Sequence, residues 1–317
     1  MVTVGLVGVG DWGKNHARVL KEMRNEKLID SIIFCDKDEK RLREAAGNDV
    51  ECCTDHRKML DKVDAVSIAT STATHYRLAK DFLESGADAL VEKPISETTK
   101  EAVELDSIAA KNKRILMVGH IFVYNQITRY IKKCIESGKI GDVYYMFGSF
   151  SGLKNLRSDS GTTHTYIVHH IAVANYLFGE PTKVEGFTGG FLRQNFEDVT
   201  LVILKYGNVL AYFDASWLPP GKTRSLTVVG SKGTIVADLL NQKVEVHNNR
   251  FEGGKAVQGG IEKPYVDLAA LRWEEPLKGE LKHFLHCVKT REPPLTDGKS
   301  AIAVMKVVDR ILASKGF

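Results

Sequence analysis

The sequence predicts an α/β fold, in which a parallel sheet with helices is followed by an α+β domain with an open, mostly antiparallel sheet. Apolar runs alternate with helical patterns up to about residue 120, which is typical of parallel strands joined by crossover helices. Beyond residue 183, strand-like runs follow one another across short glycine turns. Since 317 residues exceed one ordinary core, we expect two domains, 1–121 and 122–317, with C-terminal helices that could pack back on the first.

Composition excludes several classes of protein. A hydrophobic content of 43% with 26% charged residues is that of a globular protein, and a net charge of +4 without a dense Lys/Arg block argues against nucleic acid. No apolar run reaches transmembrane length, and Met1 leads into a strand rather than a signal peptide. The five cysteines are odd in number and lack zinc spacing. We therefore expect a cytoplasmic protein with reduced thiols, no metal and no membrane partner.

The first strand ends in a glycine-rich turn. The apolar run from Val2 to Val7 is followed by Gly8-x-Gly10-x-x-Gly13 and then by a helical stretch. Gly8 allows a tight turn, Gly10 lets the backbone approach a phosphate, and Gly13 lets the helix pack on the strand. A plain β-turn is the alternative, but strand, glycine turn and helix in this order favour a Rossmann turn. The predicted pyrophosphate contacts are Gly8, Val9, Gly10, Asp11, Trp12 and Gly13.

The second strand predicts which dinucleotide is bound. The run Ser31 to Cys35 ends in Asp36, 23 residues beyond Gly13, close to the spacing of the acid that accepts from the adenosine ribose. Asp36 could instead cap the following helix. An acid at this position repels a 2′-phosphate, so we predict NAD. The adjacent cations Lys37 and Arg41 leave NADP open as the alternative.

The later strands of the first domain also end in polar residues. Because the carboxyl ends of parallel strands share one edge of the sheet, where ligands bind, we expect these residues to converge on one crevice. With Asp36 and Lys37, the predicted cofactor contacts at these ends are Thr70, Ser71, His75, Glu92, Lys93 and His120.

The second domain is predicted to be rich in β-structure. A helix near 126–137, a strand near 143–150, a polar loop over 151–163 and a helix near 165–178 precede six strands. The six strands are predicted near 184–188, 198–206, 209–217, 224–230, 233–238 and 243–247. The glycine-rich stretch 251–264 is expected to be a long loop, before helices near 276–290 and 298–314. An apolar outer face on this sheet predicts a homodimer or homotetramer.

These motifs resemble the Gfo/Idh/MocA oxidoreductases over essentially the whole chain. The similarity lies in the glycine turn, in Glu92-Lys93-Pro94, in Gly119-His120, and in His169 with Tyr176 to Glu180. Glu-Lys-Pro at a strand end, about 80 residues after the glycine turn, is the most specific element. Within the family, the nucleotide-sugar branch, which includes UDP-N-acetylglucosamine 3-dehydrogenases, is the most similar. That similarity rests on Gly119-His120-Ile121 with Asn125, Ala215 to Leu218, and Lys222-Thr223-Arg224.

The resemblance implies an NAD(P)-dependent enzyme that oxidises a secondary hydroxyl of a sugar or cyclitol, or runs the reverse reduction. Lys93 matches the family's active-site lysine, His169 its active-site histidine, and His75 a position beside the cofactor. His169 would accept the hydroxyl proton while Lys93 binds the same oxygen, or Lys93 would itself be the base. The substrate contacts expected are Lys93, Asn125, Arg157, Thr165, Tyr166 and His169, with a nucleotide sugar as the favoured substrate.

The chain departs from the family around this histidine. Where the family often has Asp-x-x-x-His-x-x-Asp, this sequence has Thr165, His169 and Ala172, so both carboxylates are missing. Those acids would orient the histidine and raise its basicity. A catalytically impaired regulator that binds NAD or a sugar is therefore an alternative, as is a cyclitol or free-sugar dehydrogenase. The neighbouring His164 and His170 lack the acid that would complete a zinc site.

Overall fold

The computed structural model describes residues 2–156, 160–192, 195–263 and 274–314. The chain forms two compact units. The first consists of Met1–Ile121 and Leu277–Ile302, and the second of Phe122–Pro276 and Ala303–Phe317.

The first unit contains a six-stranded parallel sheet with the order β3-β2-β1-β4-β5-β6. Its strands are β1 (Thr3–Val7), β2 (Ser31–Cys35), β3 (Glu51–Cys53), β4 (Ala65–Ile68), β5 (Asp88–Glu92) and β6 (Leu116–Gly119). The helices between them are α1 (Gly13–Asn25), α2 (Glu39–Ala46), α3 (Thr72–Ser85) and α4 (Thr99–Asn112), with a 3₁₀ turn at His56–Met59. This topology confirms the predicted parallel α/β sheet. The strand order reverses between β1 and β4, which is where such sheets bind dinucleotides.

The apolar runs form strands because both faces of the sheet are covered. Every residue of β4, β5 and β6 is buried, as continuous apolar runs predict for a parallel sheet between two helical layers. The helices begin at local signals. In α4, for example, the Thr98 side chain accepts from the Glu101 main-chain N–H, and the Glu101 carboxylate accepts from that of Thr98.

The second unit is built on an eight-stranded sheet with the order β16-β13-β12-β11-β7-β10-β9-β8. Its strands are β7 (Val143–Ser151), β8 (Lys183–Gly189), β9 (Val199–Tyr206), β10 (Val209–Ser216), β11 (Thr223–Gly230), β12 (Thr234–Asp238), β13 (Lys243–His247) and β16 (Ile261–Glu262). Only β7 and β10 pair in parallel, so the predicted mostly antiparallel sheet is confirmed. A 3₁₀ turn (Ile121–Tyr124) and α5 (Gln126–Glu136) precede it, and a π-helical turn (Thr163–Ile167) leads into α6 (Val168–Phe178).

The prediction of one long loop over 251–264 is wrong. The segment contains a hairpin of β14 (Arg250–Glu252) and β15 (Lys255–Val257), and β16, which pairs with β13. Every residue of β14 and β16 is exposed, so neither strand has the apolar alternation by which strands are recognised. The hairpin turn is Gly253-Gly254, with φ of +57° and +80°, and a Gly-Gly pair is a signal for such turns.

A C-terminal segment completes the first unit. α7 (Pro276–Thr290) and the residues after it lie against the parallel sheet and its helices, and α8 (Gly298–Ala313) follows. Arg291 binds the buried Asp88 at the start of β5 through two nitrogens, at 2.6 and 3.0 Å. The Thr296 hydroxyl donates to the carbonyl of Val118 in β6 at 2.7 Å. In the described part of the chain, no helix is long and apolar enough to cross a membrane.

Candidate active site

The glycine turn has the geometry that a pyrophosphate requires. Gly8 has φ of +93°, and a Cβ on Gly13 would lie 2.0 Å from the Gly8 carbonyl oxygen, so both positions require glycine. Around Gly10 the nearest atom that a Cβ would meet is Nη1 of Arg41, at 3.8 Å, which leaves space for a ligand. α1 has no side-chain cap at Trp12 and no acid in its first turn. Its first N–H groups can therefore bind phosphate oxygens.

Asp36 is joined directly to this turn. One carboxylate oxygen accepts from the Val9 N–H at 2.7 Å and the other from the Asp38 N–H at 2.9 Å. The helix cap belongs to Asp38, which accepts from the N–H groups of Lys40 and Arg41, so the capping alternative for Asp36 is wrong. Asp36 thus stands at the carboxyl end of β2 with its carboxylate fixed beside the turn, and the exposed Lys37 follows it.

The buried Glu92 links the glycine turn to Lys93 through hydrogen bonds. Its Oε1 accepts from Trp12 Nε1 at 2.7 Å and lies 3.1 Å from His16 Nε2, while Oε2 accepts from the Lys93 N–H at 3.1 Å. Burial acts to raise the pKa of Glu92, but the hydrogen bonds from His16 and Trp12 hold it below its ordinary value. The Ser67 hydroxyl lies 2.9 Å from His16 Nδ1. The structure gives the Glu92 carboxylate protein partners, which favours a positioning role over the predicted cofactor contact.

His120 follows β6 near Lys93 and is 3% exposed. Burial, and then the charge of Lys93, lower its pKa to about 4. At neutral pH the ring is therefore uncharged and adds no second cation beside the lysine.

His75 connects the ends of β4 and β5. Ser71 precedes α3, and the ring of His75 in its first turn is 1% exposed. Nδ1 lies 2.8 Å from the carbonyl oxygen of Pro94, and Nε2 lies 3.2 Å from that of Thr70. Burial lowers the pKa of His75, so the neutral ring donates to one of the two, and the shorter contact favours Pro94. The segment Lys93-Pro94 is thus held from both sides, by Glu92 and by His75.

His169 lies on α6 in the second unit. Its ring is 4.9 Å from that of Phe122 and 6.1 Å from that of Phe150, and the side chain is 8% exposed. The preceding turn is π-helical, a rare form often found at functional sites. Within it, the Thr165 hydroxyl donates to the Gly161 carbonyl oxygen at 2.8 Å. The Tyr166 ring is buried.

The structure does not support a substrate contact for two of the residues predicted to make one. Asn125 is 1% exposed, its side-chain Oδ1 accepts from the Ile127 N–H at the start of α5, and its Nδ2 donates to Oε1 of Gln242 at 3.3 Å. This geometry favours a helix cap over the predicted substrate contact. Arg157 lies outside the described residues. No group of His, Cys, Asp and Glu that could hold a metal ion occurs among the described residues.

Sequence reasoning missed three contacts. It assigned no role to His16 or to the rings of Phe122 and Phe150, and it expected Arg224, whose guanidinium lies over Tyr166, to serve the sheet or its interface rather than the chemistry. The first two depend on tertiary contacts that no local pattern carries. For Arg224, the sequence offered only the resemblance of Lys222-Thr223-Arg224 to one branch of the family.

A glycine turn before an uncapped helix, an acid at the end of β2 and a lysine at the end of β5 define a dinucleotide-dependent oxidoreductase. The chain belongs to the Gfo/Idh/MocA family. The model of the oxidoreductase family's NAD-binding Rossmann fold matches residues 2–120, and that of the GFO/IDH/MocA C-terminal domain matches residues 128–236. The resemblance and the NAD-binding assignment are thereby confirmed.

Individual relatives are distant but similar over their full length. A UDP-N-acetylglucosamine 3-dehydrogenase of Acidithiobacillus ferrooxidans is 24% identical over 95% of this chain and 93% of its own. Its solved structure has a TM-score of 0.82 at 21% identity, covering 99% and 97% of the two chains. A 2,7-anhydro-N-acetylneuraminate hydratase of Mediterraneibacter gnavus is 23% identical (99% and 95% covered), and a myo-inositol 2-dehydrogenase of Thermotoga maritima is 26% identical (98% and 96%).

Proposed function

We propose that this NAD-binding oxidoreductase interconverts a secondary hydroxyl and a ketone on a sugar, with a nucleotide sugar as the substrate. The observation that carries the proposal is the placement of Lys93. It follows a buried carboxylate fixed to the glycine turn, and it precedes a proline held by His75. A dehydrogenase reaction is supported by the family and by its UDP-N-acetylglucosamine and myo-inositol dehydrogenases, and a nucleotide sugar as the substrate is supported by the first of these two. Bound NAD would take up or return the hydride.

Lys93 is proposed to donate a hydrogen bond to the reacting oxygen. A cation there stabilises the alkoxide character that develops as the carbonyl forms. The uncharged His120 beside it leaves Lys93 as the cation that acts on this oxygen.

His169 is proposed to accept the hydroxyl proton. A general base must be held in one orientation, for which many histidines use a carboxylate. Here the rings of Phe122 and Phe150 lie 4.9 and 6.1 Å from the imidazole, which supports its orientation where Thr165 and Ala172 replace the family's acids. The alternative, in which Lys93 is itself the base, predicts activity without His169.

The test is NADH formation from NAD⁺ with a panel of UDP-N-acetylglucosamine, myo-inositol and free sugars. We expect Lys93→Met and His169→Ala each to lower turnover about 10²- to 10⁴-fold, the usual effect of a positioned proton-transfer group. NAD⁺ affinity should change by less than about tenfold, or ~1.4 kcal/mol. Lys100→Met, which alters an exposed lysine of α4, is the matched control.

Three results would change the proposal. Activity that survives His169→Ala but not Lys93→Met makes the lysine the base. Turnover of myo-inositol alone replaces the nucleotide sugar by a cyclitol. A wild-type protein that binds NAD⁺ but oxidises and reduces nothing on the panel is a non-catalytic regulator.

We also propose a homodimer or homotetramer, formed through the outer face of the second unit's sheet. The cysteine content favours a reducing compartment, the cytoplasm.

A further inference from the structure

Arg224 on β11 carries a charge that no acid among the described residues balances through an ion pair. It is half-buried, with its guanidinium 4.4 Å from the ring centre of Tyr166 and 5.0 Å from that of Phe150. Among the described residues its hydrogen-bond acceptors are main-chain oxygens, of Ser151 at 2.8 Å and of Thr223 at 2.6 Å. Withdrawing a cation from water costs free energy unless an opposite charge compensates it.

The register of the sheet explains why Asp214 on β10 does not compensate it. Arg224 is directly opposite Phe150, whereas Asp214 and Ser225 are both opposite Ser149. Since successive side chains point to opposite faces of a strand, Asp214 lies on the other side of the sheet from Arg224. Its carboxylate there accepts from the Ser149 hydroxyl at 2.7 Å.

The surroundings of Arg224 place it beside the candidate base. Phe150, over which the guanidinium lies, is 6.1 Å from the ring of His169 and 4.1 Å from that of His170. Burial, and then the charge of Arg224, lower the pKa of His170 to about 3, so this neighbour is uncharged. A second cation, Lys154, lies 5.8 Å from the ring centre of Tyr166.

The guanidinium has one edge left for a ligand. Both main-chain hydrogen bonds come from Nη1, and within the described residues Nε and Nη2 make none. The Nε–H and one N–H of Nη2 lie in the guanidinium plane and point in the same direction. Such a pair is the fork that binds the two oxygens of a carboxylate or phosphate.

We infer that Arg224 binds an anionic oxygen group of the substrate, a phosphate or a carboxylate, about one aromatic ring from His169. The inference rests on the proposed function, since it takes the surface around His169 to be the substrate site. A neutral sugar or cyclitol would leave the charge of Arg224 uncompensated. The substrate is therefore a nucleotide sugar or a sugar acid.

The experiment compares UDP-N-acetylglucosamine, glucuronate and myo-inositol, by calorimetric binding in the presence of NADH and by turnover with NAD⁺. We expect wild type to bind one anionic compound more tightly than the inositol, and Arg224→Gln to weaken that binding roughly ten- to a hundredfold, with KM raised and kcat within a few-fold. Arg224→Lys should restore part of the affinity. Arg250→Gln, at an exposed arginine of β14 paired with Glu252, should change nothing.

The compound whose binding depends on Arg224 identifies the anion as a phosphate or a carboxylate. Unchanged affinity of Arg224→Gln for both anionic compounds overturns the inference. So does an equal loss for myo-inositol, which would mark a structural role, and so does a wild type that binds neither anion. If Arg224→Gln fails to fold, Arg224→Lys is the variant that tests the inference. Lysine keeps the charge but lacks the two parallel N–H groups, so it should weaken binding of the anionic compound and leave binding of myo-inositol unchanged. If the protein binds an anionic compound through Arg224 but turns over none of the compounds, the proposed dehydrogenase function is wrong and the inference about Arg224 is still supported.

Discussion

At the scale of single residues, Asp36 combines a structural contact with a proposed role in cofactor choice. Its carboxylate accepts a hydrogen bond from the Val9 N–H of the glycine turn, and we propose that its negative charge also opposes a 2′-phosphate. The following acid, Asp38, takes the helix cap. On this proposal, Asp36 acts in cofactor choice, while Asp38, two positions later, stabilises the helix.

We expect Asp36→Ala to narrow the preference for NAD(H) over NADP(H) without abolishing binding. Loss of the carboxylate removes both the repulsion of a 2′-phosphate and the bond to Val9, so NAD(H) affinity should fall by about 1–2 kcal/mol while NADP(H) affinity falls less. Fluorescence titration with both cofactors measures this. Asp38→Ala should lower stability and leave the ratio unchanged. A wild type that prefers NADP(H) would show that Asp36 is not the discriminating residue.

The chemistry-bearing residues at strand ends were accessible from sequence because a strand end has a fixed place in a parallel sheet. Lys93 and Asp36 follow apolar runs that could be recognised directly. The partners of Glu92 and Asn125 could not be predicted in this way. Their roles depend on which residues the fold brings to them, Trp12 and His16 in one case and Gln242 in the other.

At the scale of elements, α7 places an acid in the interior of the first unit. Glu280 is fully buried, and its two carboxyl oxygens have no hydrogen-bond partner among the described residues. Burial and the negative charge of Glu92 raise its pKa well above the ordinary value. We therefore expect Glu280 to be protonated in the folded protein at neutral pH.

This protonation makes stability depend on pH. In the unfolded chain Glu280 ionises near pH 4.5, while in the folded protein it keeps its proton, so the folded state binds more protons above that pH. Stability should then fall by about 1.4 kcal/mol per pH unit from near pH 5 up to the folded-state pKa. Glu280→Gln cannot ionise and should lack this slope, which makes it the more stable form at pH 8.

Urea unfolding of both proteins at pH 5 and pH 8 tests this expectation. Glu292→Gln is the control, since that exposed acid lies just beyond the same helix. If Glu280→Gln is destabilised by the same amount at both pH values, ionisation of Glu280 does not make the stability depend on pH, and the expectation is wrong.

Elements were predictable where burial imposed a period on the sequence. The strands of both sheets that have a buried face carry apolar runs or alternation, and they were found. The exposed strands β14 and β16 carry neither. The π-helical turn before α6 also has no local signature, because Thr163–Ile167 could continue an α-helix equally well.

At the scale of the whole molecule, the outer face of the second unit's sheet carries exposed apolar side chains. Five large side chains on this face are each between 41% and 44% exposed, namely Leu201, Ile203, Leu210, Tyr212 and Val236. The ring of Tyr212 stacks on that of Phe147 at 5.2 Å. Such a patch on a sheet is typical of a surface that a second copy covers.

We expect light scattering at micromolar concentration to find a dimer or tetramer. Ile203→Lys with Leu210→Lys places charges on adjacent strands of this face and should shift the protein towards monomer. Val103→Lys changes an equally exposed residue of α4 and should leave the assembly intact. A wild-type monomer would contradict the proposed assembly, and dissociation by Val103→Lys would place the interface elsewhere.

The composition of the first unit from two chain segments has a consequence during synthesis. The nascent segment Met1–Ile121 lacks α7, which carries Leu277, Leu281 and Phe284, all buried in the folded protein. At 5–20 residues per second, the ribosome takes on the order of 10 s to make the intervening stretch. During that interval the first unit lacks its second segment and exposes an apolar surface that chaperones can recognise. The segment that completes this unit leaves the exit tunnel only after residue 302 has been translated.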